Sequence, residues 1–123
     1  MFFAPYVIRG SNAEKVLVQI LPASPEDLAA TKGTPSWQTD WESEYLSQPS
    51  VDKFALKLEN GELLALGAYQ ISGRKAYVYI LYVESAPQSN PTLTTSARRE
   101  YYGIGEVMIA FGIKDSIEAA CPG

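Results

Sequence analysis

At 123 residues the chain has room for one domain and one core. Apolar residues make up 46% and charged residues 20%, a globular balance that argues against disorder, and a net charge of -4 leaves no basic field for nucleic acid or an anionic membrane. Histidine is absent, which excludes histidine-activated nucleophiles and histidine-ligated metals, and a lone cysteine, Cys121, excludes an intrachain disulfide and points to a reducing, cytoplasmic setting.

Residues 2 to 9 read as a strand, and residues 15 to 21 as a clearer one, with Val16, Val18 and Ile20 on one face and GSNAE as the turn before them. The opening MFFAPYVIRG has no basic residue ahead of its apolar run and meets Pro5 early, so it matches neither a signal peptide nor a membrane span. Ser24, Pro25 and Asp27 supply a cap, a first-turn proline and a carboxylate three places after the cap, which predicts a short helix to about Lys32. Gly33 and Pro35 end it. Trp37, Trp41 and Tyr45 then recur every four residues and predict a second helix from about Thr39, with Glu42 completing its capping box.

The segments VDKFALKLE and ELLALGAYQIS flank Asn60-Gly61, a pair that tolerates the positive φ angles of a type I′ turn, so they read as a hairpin. After the turn SGRK, AYVYILYVE at residues 76 to 84 is apolar on both faces, as expected of a central strand covered on each side. SAPQSNPTLTTSA is a loop, and a helix from about 105 to 119 completes the chain.

That last helix is preceded by YYGIGE. Glycines ahead of a helix N-terminus let a phosphate approach unpaired N–H groups in a region of partial positive charge. A dinucleotide fingerprint would need a third glycine where Met108 stands, and a phosphate loop of the Gly-Lys-Ser/Thr kind is ruled out by Glu106 and Val107.

The order of elements, with YVESAPQSN and EYYGIGEVMIAFGIKDSIEA, resembles the GNAT superfamily of acetyl-CoA-dependent N-acetyltransferases over roughly residues 15 to 123. The likeness lies in an acidic residue and Ala-Pro after the central strand, Gly-x-Gly before the helix, and a serine late in it. In the family's Gln/Arg-x-x-Gly-x-Gly/Ala signature the first place falls on Glu100, with Arg99 one residue early. The resemblance implies an α/β fold built on the N-terminal portion of a GNAT domain: an antiparallel sheet of four or five strands with helices on its faces, C-terminally incomplete. It also implies acetyl-CoA as cofactor. The backbone of Tyr101, Tyr102, Gly103, Ile104, Gly105 and Glu106 would hold its pyrophosphate, Val83 and Ser85 would run beside its pantetheine arm, and Arg98 and Arg99 would face the phosphates.

For acetyl transfer to a small amine, Glu84 at the strand's end is the candidate base, against the plainer reading of a solvated strand-end carboxylate. Tyr101 and Tyr102 are the nearby substitutes for the family's acid tyrosine, and otherwise packing residues. Trp37 and Trp41 line an acceptor pocket or belong to the core. The final helix carries Ile104, Val107, Met108 and Phe111 on one side and Ile109, Ile113 and Ile117 nearly opposite. Two apolar faces and an open edge along the central strand imply a homodimer through residues 76–84 and 105–119. A non-catalytic, shortened homologue serving as a dimeric interaction module is the rival to the enzyme.

Overall fold

A computed structural model describes residues 5–33, 37–71, 78–89 and 100–120. The strands are β1 (Tyr6–Arg9), β2 (Lys15–Pro22), β3 (Val51–Leu58), β4 (Leu63–Ile71), β5 (Val78–Ser85) and β6 (Tyr101–Tyr102), and the helices are α1 (Pro25–Ala30) and α2 (Ile104–Ala120). They form one antiparallel sheet in the order β5-β4-β3-β2-β1-β6, so the class is mixed α/β. β2 joins the two halves of this sheet: its first residues pair with β1, and Val18 onward pairs with β3.

Five of the six strands fall where the sequence pattern predicts them. The sixth is an addition. Tyr101 and Tyr102 pair with Arg9 and Ile8, and Gly10 donates its N–H to the Glu100 carbonyl at 2.8 Å, so the approach to the glycine turn extends the sheet past β1. Tyr101 is buried in the same step.

Each face of the sheet has its own apolar cluster. On one, Val7, Val18, Leu56, Tyr69 and Tyr101 meet Ile104 and Met108 of α2. Gly67 makes this close approach possible, because a Cβ there would lie 2.7 Å from both the Met108 Cε and the Tyr69 hydroxyl oxygen. The Tyr69 hydroxyl donates to the Met108 carbonyl at 2.8 Å, which pins the middle of α2 to β4. On the other face, Ala55, Leu66 and Ala68 pack beneath Trp41 and Leu46, with Leu28 of α1 alongside.

α1 is capped as its sequence predicts: the Ser24 hydroxyl accepts from the Asp27 N–H at 3.2 Å, and the Asp27 carboxylate accepts from the Ser24 N–H at 2.9 Å. Asp27 also pairs with the Lys57 ammonium at 2.9 Å, tying α1 to β3.

Three expectations are corrected. The tryptophan-rich segment is not a helix beyond a single 3-10 turn at Tyr45–Ser47, because its N–H groups are taken elsewhere. Gln38 and Thr39 donate to Glu84 at 2.6 and 3.1 Å, and Asp40 accepts from the Glu42 N–H at 3.1 Å. The hairpin turn has only Gly61 at positive φ, +93°. With Gly61 donating to the Leu58 carbonyl at 2.9 Å and Leu58 to the Glu62 carbonyl at 3.0 Å, it is a three-residue loop closed by a glycine bulge, not a two-residue type I′ turn. Finally, among the described strands β5 is the edge of the sheet rather than its centre. A bulge leaves Leu81 extra between Ile80, opposite Tyr69, and Tyr82, opposite Ala68. The extra residue sends Ile80 and Tyr82 to opposite faces, where they remain 38% and 48% exposed.

Candidate functional site at the glycine turn

The chain leaves β6 at Tyr102 and reverses at Gly103, whose φ of +88° is a left-handed conformation that favours glycine. α2 starts at the next residue, and its first rung is the Val107 N–H donating to the Gly103 carbonyl at 3.1 Å. The N–H groups of Ile104, Gly105 and Glu106 therefore have no acceptor further back in the helix. Gly105 is different from Gly103. Its φ lies outside the left-handed region, and a Cβ added to it would meet nothing within 4 Å.

The turn is stitched to the end of β5 through the short 3-10 segment Pro87–Ser89. The Ser89 hydroxyl accepts from the Tyr101 N–H at 3.1 Å, and the Gln88 carbonyl accepts from the Glu100 N–H at 3.2 Å. Between these pieces lies a cavity of about 360 Å³, walled by Ser85 and Ser89 on one side and by every residue from Tyr101 to Glu106 on the other. A second, more apolar cleft of about 370 Å³ opens between β1 and α2, against Tyr6, Ile8, Val107 and Ala110, and shares Tyr102, Gly103 and Glu106 with the first.

Seven of the residues singled out from sequence thus meet on one cavity: Ser85, Tyr101, Tyr102, Gly103, Ile104, Gly105 and Glu106. Val83 does not line it, because its side chain packs against the cluster under α2. Arg98 and Arg99 lie outside the described residues. No basic side chain lines the cavity among the described residues, and Glu106 adds a negative charge to its rim. The carboxyl of Glu62, in the hairpin before β4, is pushed above its usual range by burial and by the charge of Glu100 nearby.

Glu84, the candidate base, serves a different purpose. It is buried on the Trp41 face, away from the cavity, and its oxygens accept from the Gln38 and Thr39 backbone and from the Trp41 indole at 2.9 Å. A carboxylate has about four acceptor positions, and three here hold the 37–41 segment onto the sheet. It is a tether, not a base open to an amine. Trp41, fully buried above Ala55 and Leu66, belongs to the core rather than to an acceptor pocket.

Sequence reasoning passed over Ser89. Its signal was slight: a small hydroxyl residue two places after Pro87, in a segment whose composition says only loop.

Among the described residues, no group of acidic or cysteine side chains is arranged to hold a metal ion, and no helix is long and apolar enough to cross a membrane. No protein-family model, curated protein or solved structure matches the chain.

Proposed function

We propose that the protein binds acetyl-CoA in the cavity at the glycine turn, as a GNAT-like protein working in the cytoplasm. One observation carries the reading. Residues from the end of an apolar strand and from a Gly-x-Gly motif line the same cavity, where the first N–H groups of a long helix have no acceptor among the described residues. Gly105 supports it further. A glycine in a helix costs about 0.5 to 1 kcal/mol relative to alanine, and neither its φ nor its surroundings require one here. Close approach of a ligand to the backbone supplies the missing reason.

The pyrophosphate would lie against the N–H groups of Ile104, Gly105 and Glu106, and the pantetheine arm would leave along Ser85. With Glu106 on the rim and no basic lining side chain among the described residues, the expected affinity is weak. Acetyl transfer to a small amine is the fuller form of the same proposal. It requires a base other than Glu84, whose oxygens are engaged with the tryptophan segment. Isothermal calorimetry with acetyl-CoA and with CoA tests the reading: measurable heat in the micromolar to millimolar range supports it, and no heat at millimolar cofactor overturns it.

A second reading rests on a separate observation. Ile109 and Ile113 on α2 are 49% and 56% exposed, and β5 next to α2 ends the sheet with a free edge among the described residues. A homodimer through β5 and α2 would cover both, and the protein would act as an interaction module with or without cofactor. Light scattering across a dilution series decides this, since a folded monomer at micromolar concentration removes the dimer.

A further inference from the structure

The geometry points to the cleft between β1 and α2 as a docking site for an extended, apolar peptide segment of a partner, which pairs with the open edge of β1 at Tyr6 and sets a basic residue beside Glu106. The inference does not rest on the acetyl-CoA reading.

The ladder fixes which backbone groups of β1 face outward. The Pro5 carbonyl accepts from the Val18 N–H at 3.2 Å and Arg9 donates to the Glu14 carbonyl at 2.9 Å, so with Val7 opposite Val16 the odd-numbered residues bond to β2. Even-numbered residues therefore turn their N–H and C=O groups the other way, toward β6. Gly10 and Ile8 are met there by Glu100 and Tyr102. Tyr6 is next, and the residue in register with it is Ile104, which has left the sheet as the first residue of α2. The Tyr6 N–H and C=O accordingly have no partner among the described residues. Pro5 does not guard this edge, since its missing N–H lies on the β2 side.

The departure of the chain into α2 also opens the cleft of about 370 Å³, so these backbone groups lie beside Pro5, Ile8, Val107 and Ala110. A partner that meets one donor and one acceptor on the same residue while filling an apolar gap is another strand, and antiparallel pairing supplies both bonds from one residue. Side chains alternate along such a strand. The residue opposite Tyr6 shares the face of Ile8 and Tyr102, and its two neighbours turn to the Val7 face, on which α2 lies. There Val107 and Ala110 receive an apolar side chain. Glu106 is the one charged side chain lining the cleft among the described residues, so the complementary choice for the other neighbour is lysine or arginine.

The test titrates the isotope-labelled protein with capped peptides and follows the amides of Tyr6, Val107 and Ala110 by NMR. Acetyl-Lys-Leu-Val-Leu-Lys-amide reads the same in both directions, so either leucine can face Tyr6 with valine on one side and lysine on the other. The expected result is saturable shifts centred on those three amides, with Kd below about 1 mM. Acetyl-Glu-Leu-Val-Leu-Glu-amide should bind about threefold to tenfold more weakly, and the lysine peptide N-methylated on both leucines, which has no donor for the Tyr6 carbonyl, about fivefold more weakly or worse. Glu106→Lys should reverse the preference between the two charged peptides, and Ala110→Phe, which fills the cleft from an exposed position, should weaken both. No saturable shift at about 1 mM of the lysine peptide, or shifts centred on the other open edge at β5, overturn the proposal. So do an N-methylated peptide that binds as well as its parent, which removes strand pairing, and a folded Glu106→Lys variant that keeps the wild-type preference. Each outcome is read without cofactor, so acetyl-CoA binding and peptide docking stand or fall separately.

Discussion

Gly105 offers the sharpest separation between what the fold needs and what a ligand needs. If the residue is glycine for the sake of a ligand, Gly105→Ala should stabilise the free protein. Its φ is compatible with a side chain, and the added methyl stands in open space with nothing within 4 Å. The gain expected from helix propensity and a stiffer unfolded chain is about 0.5 to 1 kcal/mol, smaller if the first turn is frayed. For a domain of this size that corresponds to roughly 2 to 5 °C in Tm. Gly105→Glu carries the same propensity gain but puts a carboxylate beside the helix N-terminus, where a bound phosphate would be repelled. At about 5 Å, with an effective dielectric constant between about 20 and 80, that repulsion is roughly 1 to 3 kcal/mol per phosphate charge. Urea unfolding of the free variants and calorimetry with acetyl-CoA together read the two effects. The expected result is a protein at least as stable as wild type for both, with acetyl-CoA binding weakened slightly by alanine and abolished by glutamate. A Gly105→Ala variant less stable than wild type would refute the reasoning, because the glycine would then be needed by the fold itself.

Glu84→Gln should destabilise the protein by about 2 to 3 kcal/mol, since an amide cannot accept all three N–H donors now directed at the carboxylate, and the tryptophan emission should shift to the red as the 37–41 segment loosens. Affinity for acetyl-CoA should be unchanged under conditions where the variant is folded, because Glu84 does not line the cavity. Gly67→Ala should cost about 1 to 3 kcal/mol or more, because its methyl would lie 2.7 Å from the Met108 Cε and the Tyr69 oxygen; chemical denaturation that finds it neutral would mean α2 is not seated on β4 as described. Two carboxyls should act oppositely with pH. Burial would push Asp27 up, but its hydrogen bonds from Ser24 and Lys57 outweigh this and hold it below its usual value of 3.8, so its contribution is present above that pH and lost on acidification below it. Glu62 is raised above 4.5 by burial and by Glu100, so its contribution is present below that pH and lost as the pH climbs through the raised value. Urea titrations from pH 3 to 7 should therefore find Asp27→Asn harmful chiefly at neutral pH and Glu62→Gln beneficial only there.

What could be read from the sequence follows the distance over which each feature is determined. The capping box at Ser24 and Asp27 closes within three residues, and the glycine bulge at Gly61 within five, so a local pattern names the place even where it misses the turn type. The strands carry their own alternation, and α2 carries an apolar stripe from Ile104 to Met108 that ends up buried. The tryptophan segment fails as a helix for a reason beyond any local window. The acceptor that captures its N–H groups is Glu84, 45 and 46 residues further on. The edge position of β5 is hidden in the same way, because a bulge at Leu81 is visible only against the register of β4.

The same contrast accounts for the two residues whose roles differ most from their appearance. An acidic side chain at the end of an apolar strand looks like chemistry because a charge there is costly without a purpose. Here the purpose is structural: three donors from residues 43 to 46 positions away make the carboxylate the latch between the sheet and its tryptophan cover. Ser89 looks like loop filler because a serine between Gln88 and Asn90, with a proline on either side of the three, is ordinary composition for a turn. Its buried hydroxyl instead fixes the approach to the glycine turn, accepting from the Tyr101 N–H at 3.1 Å. Substituting Glu84 should therefore register in stability and in a red-shifted tryptophan emission, whereas Ser89→Ala, which takes the acceptor from the buried Tyr101 N–H, should cost about 1 to 3 kcal/mol in urea unfolding without that shift.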